Sequence, residues 1–139
     1  GAGGKHRQNN NEKREMPFRM SCEQDHLHVE FEGTVSHEEI IDANRALFEH
    51  PRFDSLRRCT CDLTRVTDLQ ASRELVEYSA ALAKGGSYTN ARLKLAFSAS
   101  RPECRDAILS YIDCVNALAG TWDIRLFGCP KEARGWLGL

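Results

Sequence analysis

Apolar residues recur along this chain in two rhythms, a period of two and a period near 3.6, and the switches between them mark its elements. From Phe18 to Phe31 the period is two. Leu27, Val29 and Phe31 fall on one side, His26, His28 and Glu30 on the other, and Gln24-Asp25 supplies a turn, so the stretch predicts an antiparallel hairpin. Ser36-His37-Glu38-Glu39 then fits a capping box, and the spacing of Ile40, Ala43, Leu47 and Phe48 predicts a helix from His37 to Glu49, stopped by Pro51. Period two returns at Arg57 to Leu63, with Cys59, Cys61 and Leu63 on one face. A loop is expected over Thr64 to Gln70. A helix over Ala71 to Lys84 follows, turning Leu75, Val76, Ser79 and Leu82 inward, and Gly85-Gly86 is expected to end it through left-handed backbone angles.

The second half repeats the alternation. Leu93 to Ser98 predicts a strand, and Ser100-Arg101-Pro102-Glu103 fits a second capping box. Cys104, Ala107, Ile108, Tyr111, Ile112, Val115 and Leu118 keep helical spacing behind it. Trp122 to Phe127 predicts the last strand, and Pro130 opens a short helix through Leu137. The order is ββαβαβαβα. Each strand after the hairpin is followed by a helix, so the strands need crossovers, and the class is α/β with a mixed, mostly parallel sheet and helices packed against it. Arg58, Thr60 and Asp62, and likewise Lys94, Ala96 and Ser98, alternate with apolar positions where a sheet covered on both faces reads as continuous apolar runs. One face is therefore expected to be thinly covered, leaving a wet surface, a groove or a homodimer contact.

Composition narrows the field. A chain of 139 residues with 41% hydrophobic and 28% charged residues reads as one soluble globular domain. Residues 1–15, GAGGKHRQNNNEKRE, hold almost nothing that packs and are expected to be a tag or flexible arm ahead of a domain at 16–139. The formal charge is −1, and from Met16 onward 15 basic residues face 18 acidic ones. That balance lacks the excess of Lys and Arg that nucleic acid or an anionic membrane would need, so no nucleic-acid partner is expected. No apolar run approaches the roughly 20 residues of a transmembrane segment. The six cysteines come without a secretory signal, which predicts reduced thiols and a cytoplasmic setting.

Two segments carry a family resemblance. Asp62-Leu63-Thr64-Arg65-Val66-Thr67-Asp68-Leu69-Gln70-Ala71-Ser72 resembles the strand, Asp-Leu-Ser/Thr, loop and helix start of the STAS superfamily (sulfate transporter and anti-sigma-factor antagonist domains). Phe127-Gly128-Cys129-Pro130-Lys131-Glu132-Ala133-Arg134-Gly135-Trp136-Leu137 is similar to the ending of its SpoIIAA-like branch of small bacterial proteins. The resemblance implies a STAS-like fold over about Met16 to Leu137 and a non-enzymatic regulatory or protein-interaction module. In anti-sigma-factor antagonists the helix starts with Asp-Ser-Ser-Gly, whose first Ser is phosphorylated. Laid on without gaps, those positions are Gln70, Ala71, Ser72 and Arg73, so the resemblance implies a module without the phosphoswitch serine. Ser72 is left either as a substitute acceptor or as a helix cap.

Candidate chemistry is sparse. Cys59 and Cys61 share a face roughly 6.6 Å apart, which suits burial better than a disulfide. His26, His28, Glu30 and Glu32 form a polar stripe without an identifiable further metal ligand, and Asn44 reads as a satisfied core amide. No metal, cofactor or catalytic motif is expected. Two binding surfaces follow. A protein partner is expected at Thr64, Thr67, Asp68 and Ser72, at the carboxyl end of a parallel strand. Alternatively, Phe48, Tyr78, Tyr111 and Phe127 line a pocket for a small apolar or lipid-like ligand.

Overall fold

The computed structural model describes residues 18–139, so the arm expected at 1–15 lies outside the described residues. The strands are β1 (Phe18–Glu23), β2 (His26–Val35), β3 (Arg58–Leu69), β4 (Lys94–Ser98) and β5 (Asp123–Phe127). The helices are α1 (His37–Phe48), α2 (Arg73–Gly86), α3 (Pro102–Ala117) and α4 (Pro130–Trp136), with a 3-10 turn at Phe53–Ser55. The ββαβαβαβα order stands. The sheet runs β1-β2-β3-β4-β5, with β1 antiparallel to β2 and every later pair parallel. When parallel strands are laid down side by side in chain order, right-handed crossovers put every connecting helix on the same face. Here α1, α2 and α3 share one face, over a core that includes Leu27, Val35, Leu56, Val66, Leu93 and Val115.

Among the described residues the other face has only α4, where Ala133 and Leu137 meet Ala96, with Phe127 and Trp136 alongside. That explains the alternating strands. Thr60 and Ser98 are buried on this side, His28 and Glu30 are half-covered, and the cations of Arg125 and Lys94 lie over the Trp136 ring.

Three local expectations are corrected. The stretch Thr64 to Leu69 is strand rather than loop: β3 continues to Leu69 and pairs with an equally long β2, Gly33 opposite Val66 and Val35 opposite Leu69. The register steps twice, each time with one extra residue on β3, so Leu63, Val66 and Leu69 turn inward at intervals of three. Bulges in parallel pairs are uncommon, and this spacing breaks the period of two. Second, Gly85 and Gly86 remain helical, without left-handed angles, and Ser87 caps α2. Gly86 is needed for close approach, since a Cβ there would fall 2.5 Å from Phe48 Cε1. Third, the capping box at Ser100 does not form. Arg101 is the N-cap of α3, without a side-chain cap, and Pro102 removes one of the amides that would need it.

Around that glycine, Phe48, Phe53 and Trp122 form a cluster with ring centroids 5.3 to 6.2 Å apart. Asn90 fixes its floor. Its side-chain Nδ2 donates to the carbonyls of Phe53 and Leu56, both at 2.8 Å, and its backbone carbonyl accepts from Trp122 Nε1 at 2.7 Å. The cluster anchors the end of α1. At the start, Ser36 Oγ accepts from the Glu39 amide and Glu39 Oε1 accepts from the Ser36 amide, the capping box that the sequence predicts. Between these anchors none of the twelve α1 residues is buried.

Candidate functional site

The space beneath α1 is a cavity of about 160 Å³. Its floor is the inward side of the sheet, from Val29 and Phe31 across Cys59 and Cys61 to Leu95 and Phe97. Its roof is Ile40, Ala43 and Leu47 of α1, and its walls come from α2 and α3, including Leu75, Val76, Ala107 and Ile108. The geometry follows from topology: three helices with mostly small or branched inward residues meet over the middle of a twisted sheet. No charged side chain is among the lining residues. Three polar ones are. Asn44 Nδ2 donates to Ser79 Oγ at 3.0 Å and to the Ile40 carbonyl at 3.2 Å, tying α1 to α2 as a core amide would. Tyr111 is the third. Its ring meets Phe97 edge-on, 5.8 Å between centroids.

Electrostatics keep the cavity neutral. Burial pushes the Cys59 thiol up to about 12. Burial, then the neighbouring Cys59 and Asp62, raise Cys61 well above its ordinary value, and burial followed by the same two thiols raises the Tyr111 phenol. Thiols held protonated are poor nucleophiles and poor metal ligands, so these two act as small apolar wall residues. Both are free, as are the other four cysteines.

The opposite face holds a different constellation. Thr60 Oγ1 lies 2.7 Å from His26 Nε2 and 2.6 Å from His28 Nδ1, and His28 Nε2 lies 3.0 Å from Glu30 Oε2. His28 Nε2–H donates to the Glu30 carboxylate, and the Thr60 hydroxyl bridges the two imidazole rings. Hydroxyl, imidazole and carboxylate are thus in line, as in a hydrolase triad. The surroundings do not suit that chemistry. Thr60 is only 4% exposed, and its strand is paired on both sides, with His28 and with Ala96, which occupies the backbone amides an oxyanion would need. The polar stripe is a hydrogen-bonded relay, and no group of three or more potential ligands among the described residues is placed to hold a metal.

No family model matches this sequence, and no curated protein matches it. Solved structures do. The anti-sigma factor antagonist SpoIIAA in its unphosphorylated form superposes with a TM-score of 0.55 at 8% identity, over 88% of this chain and 97% of that one. The phosphorylated Bacillus cell fate determinant SpoIIAA gives 0.53 at 10% identity, over 86% and 98%. The chain has the SpoIIAA-like fold. An uncharacterized DUF3478-family protein with a SpoIIAA-like fold from Shewanella loihica PV-4 gives 0.47 at 14% identity, over 86% and 91%.

Within the SpoIIAA-like fold the expected site residues separate. Of the four aromatic candidates only Tyr111 lines the cavity. Phe48 belongs to the Trp122 cluster, Tyr78 is 49% exposed on α2, and Phe127 points to the other face against Trp136. Helical and strand spacing gave their faces only approximately, and Phe127 sits one residue out of phase with the inward Leu126. Thr64 is occupied, its amide and hydroxyl both donating to Asp62 Oδ1 at 2.8 and 2.6 Å. Thr67 and Asp68 are exposed on the β3 extension rather than on a loop.

Helix α2 begins at Arg73, two residues later than the spacing predicts. Ser72 is its N-cap and accepts from the Leu75 amide at 3.1 Å, while Ala71 contributes to the cavity wall. The hydroxyl at the helix start is therefore that of Ser72. Sequence reasoning missed Ala71, Leu69 and Val35 as lining residues. Their signal was apolar character just past the expected strand ends.

Proposed function

We propose that this chain is a non-enzymatic binding module on a SpoIIAA-like fold, and that its ligand is a small apolar molecule held in the cavity beneath α1. The cavity carries this reading: about 160 Å³ walled by aliphatic, aromatic and thiol side chains, under a helix with no buried residue. Native interiors are close-packed and leave few voids larger than a water molecule. Filling this one with side chains would stabilise the fold, so retaining it points to an occupant. Native mass spectrometry of freshly purified protein tests the reading. A bound mass is expected on the natural sequence and not on Ala107→Leu, which places a larger side chain in the cavity wall. A clean apo mass, together with no binding of added small apolar compounds, would defeat it.

A protein partner is the second reading, favoured by the exposure of Thr67, Asp68 and Ser72 together at the carboxyl end of the sheet. In this reading recognition proceeds without a phosphorylated residue 71, because Ala71 has no hydroxyl and its place is in the cavity wall. The test is Asp68→Lys combined with Ser72→Asn, which keeps a capping side chain on α2. The pair should abolish binding to an identified partner at unchanged melting temperature. Homodimerisation through the thinly covered face is tested by sedimentation at high concentration.

A further inference from the structure

We infer that the cavity selects a neutral, single-ring molecule bearing one hydrogen-bonding group, and that this group bonds the Tyr111 hydroxyl. The inference rests on the reading of the cavity as a ligand site and adds size, charge and anchor. Size follows from volume: a dry protein cavity of roughly 150 Å³ lined by Leu, Ile and Phe takes up benzene. About 160 Å³ thus matches one ring with a small substituent. Neutrality follows from the lining, which offers no Lys, Arg or His to a carboxylate and no acid to an amine, while transfer of an unpaired ion into such surroundings is strongly unfavourable.

The anchor follows from the hydrogen-bond inventory. Every fully buried side-chain nitrogen and oxygen among the described residues has a partner. The Tyr111 hydroxyl is bonded by none of the described residues, so it must have open space beside it, and Tyr111 lines this cavity together with its neighbours Cys59 and Cys61. Asn44 and Ser79, the other polar wall residues, already bond one another. A phenol-like or ketone-like group is the complement to a lone hydroxyl at one side of an apolar chamber.

Methyl NMR titrations with benzene, phenol, benzoate and decan-1-ol, on the natural protein and on Tyr111→Phe, test each part. Tyr111→Phe removes an atom that none of the described residues bonds and should fold normally. Benzene and phenol should bind and benzoate should not. Tyr111→Phe should weaken phenol about tenfold, the effect of leaving one polar group unpaired, and leave benzene unchanged. An unchanged phenol affinity would overturn the anchor, and benzoate binding at the same residues would overturn neutrality. Decan-1-ol saturating the cavity while neither ring binds would overturn the size class yet leave the ligand site standing. If no probe shifts the cavity methyls, the ligand site falls as well.

Discussion

Adjacent glycines at the end of α2 make opposite predictions, and the contrast measures how tightly the aromatic cluster holds α1. An alanine Cβ at position 85 would meet nothing within 4 Å, whereas at position 86 it would lie 2.5 Å from Phe48 Cε1 and 3.1 Å from both Phe48 Cδ1 and Phe53 Cζ. Gly85→Ala should therefore stabilise the protein by about 0.5–1 kcal/mol through helix propensity and a less flexible unfolded chain. Gly86→Ala gains the same propensity but must displace the Phe48 ring, which stacks on Trp122 at 5.9 Å and packs on Phe53 at 5.3 Å. Losing two aromatic pairs at about 0.5–1.5 kcal/mol each, plus overpacking, leaves a net destabilisation of about 1–2 kcal/mol. The two variants should differ by about 1.5–3 kcal/mol. With an m-value of about 1–3 kcal/mol per molar urea, their denaturation midpoints should separate by about 0.5–3 M, read from Trp fluorescence. Equal midpoints would refute the packing of Phe48 against Gly86 and the anchoring of α1 that depends on it.

Three further outcomes are expected. Asn90→Ala removes the donor to two carbonyls inside the fold and should destabilise by about 2–4 kcal/mol in urea denaturation, with near-native behaviour counting against the bonds at Phe53 and Leu56. Ser72→Ala should cost about 1 kcal/mol through the lost cap while Ser72→Asn stays close to the natural protein, so similar losses in both would deny the capping role. Burial first, then His28, Arg134 and Arg58, lower the pKa of His26 against a smaller opposing pull from Asp25. The unfolded chain then binds the proton more readily, so this contribution is present above about pH 6.5 and is lost as pH falls through the folded value. His26→Gln should flatten the stability profile between about pH 7 and pH 5, and an unaltered slope would remove His26 as its source.

Periodicity carried the architecture where an element presents a clean inward stripe, as Val29 and Phe31 do on β2 and Ile108 and Val115 on α3. Where two elements adjust to one another, local spacing lost its meaning. The inward Leu63, Val66 and Leu69 obey neither simple period, because the register steps that bring them to one face belong to the pairing with β2. That one displacement moved the expected loop, the start of α2 and the status of Ala71 and Ser72 together. The cavity was half legible. Aromatic composition suggested an apolar pocket, but which rings enter it depends on rotations that spacing does not fix: of Phe48, Tyr78, Tyr111 and Phe127 only Tyr111 does, while Phe31 and Phe97 enter from the sheet. The relay from His26 through Thr60 to His28 and Glu30 joins two strands, so the stripe of four polar residues on β2 alone gave no hint of its buried hydroxyl.

A crystal of the natural protein held under xenon pressure bears most directly on the ligand site. Xenon is expected among Cys61, Leu75, Val76 and Ile108, with α1 in place and no site of comparable occupancy beside α4. Density for a chain of ordered waters in that position, or an α1 settled onto the sheet so that no xenon enters, would contradict an apolar binding chamber.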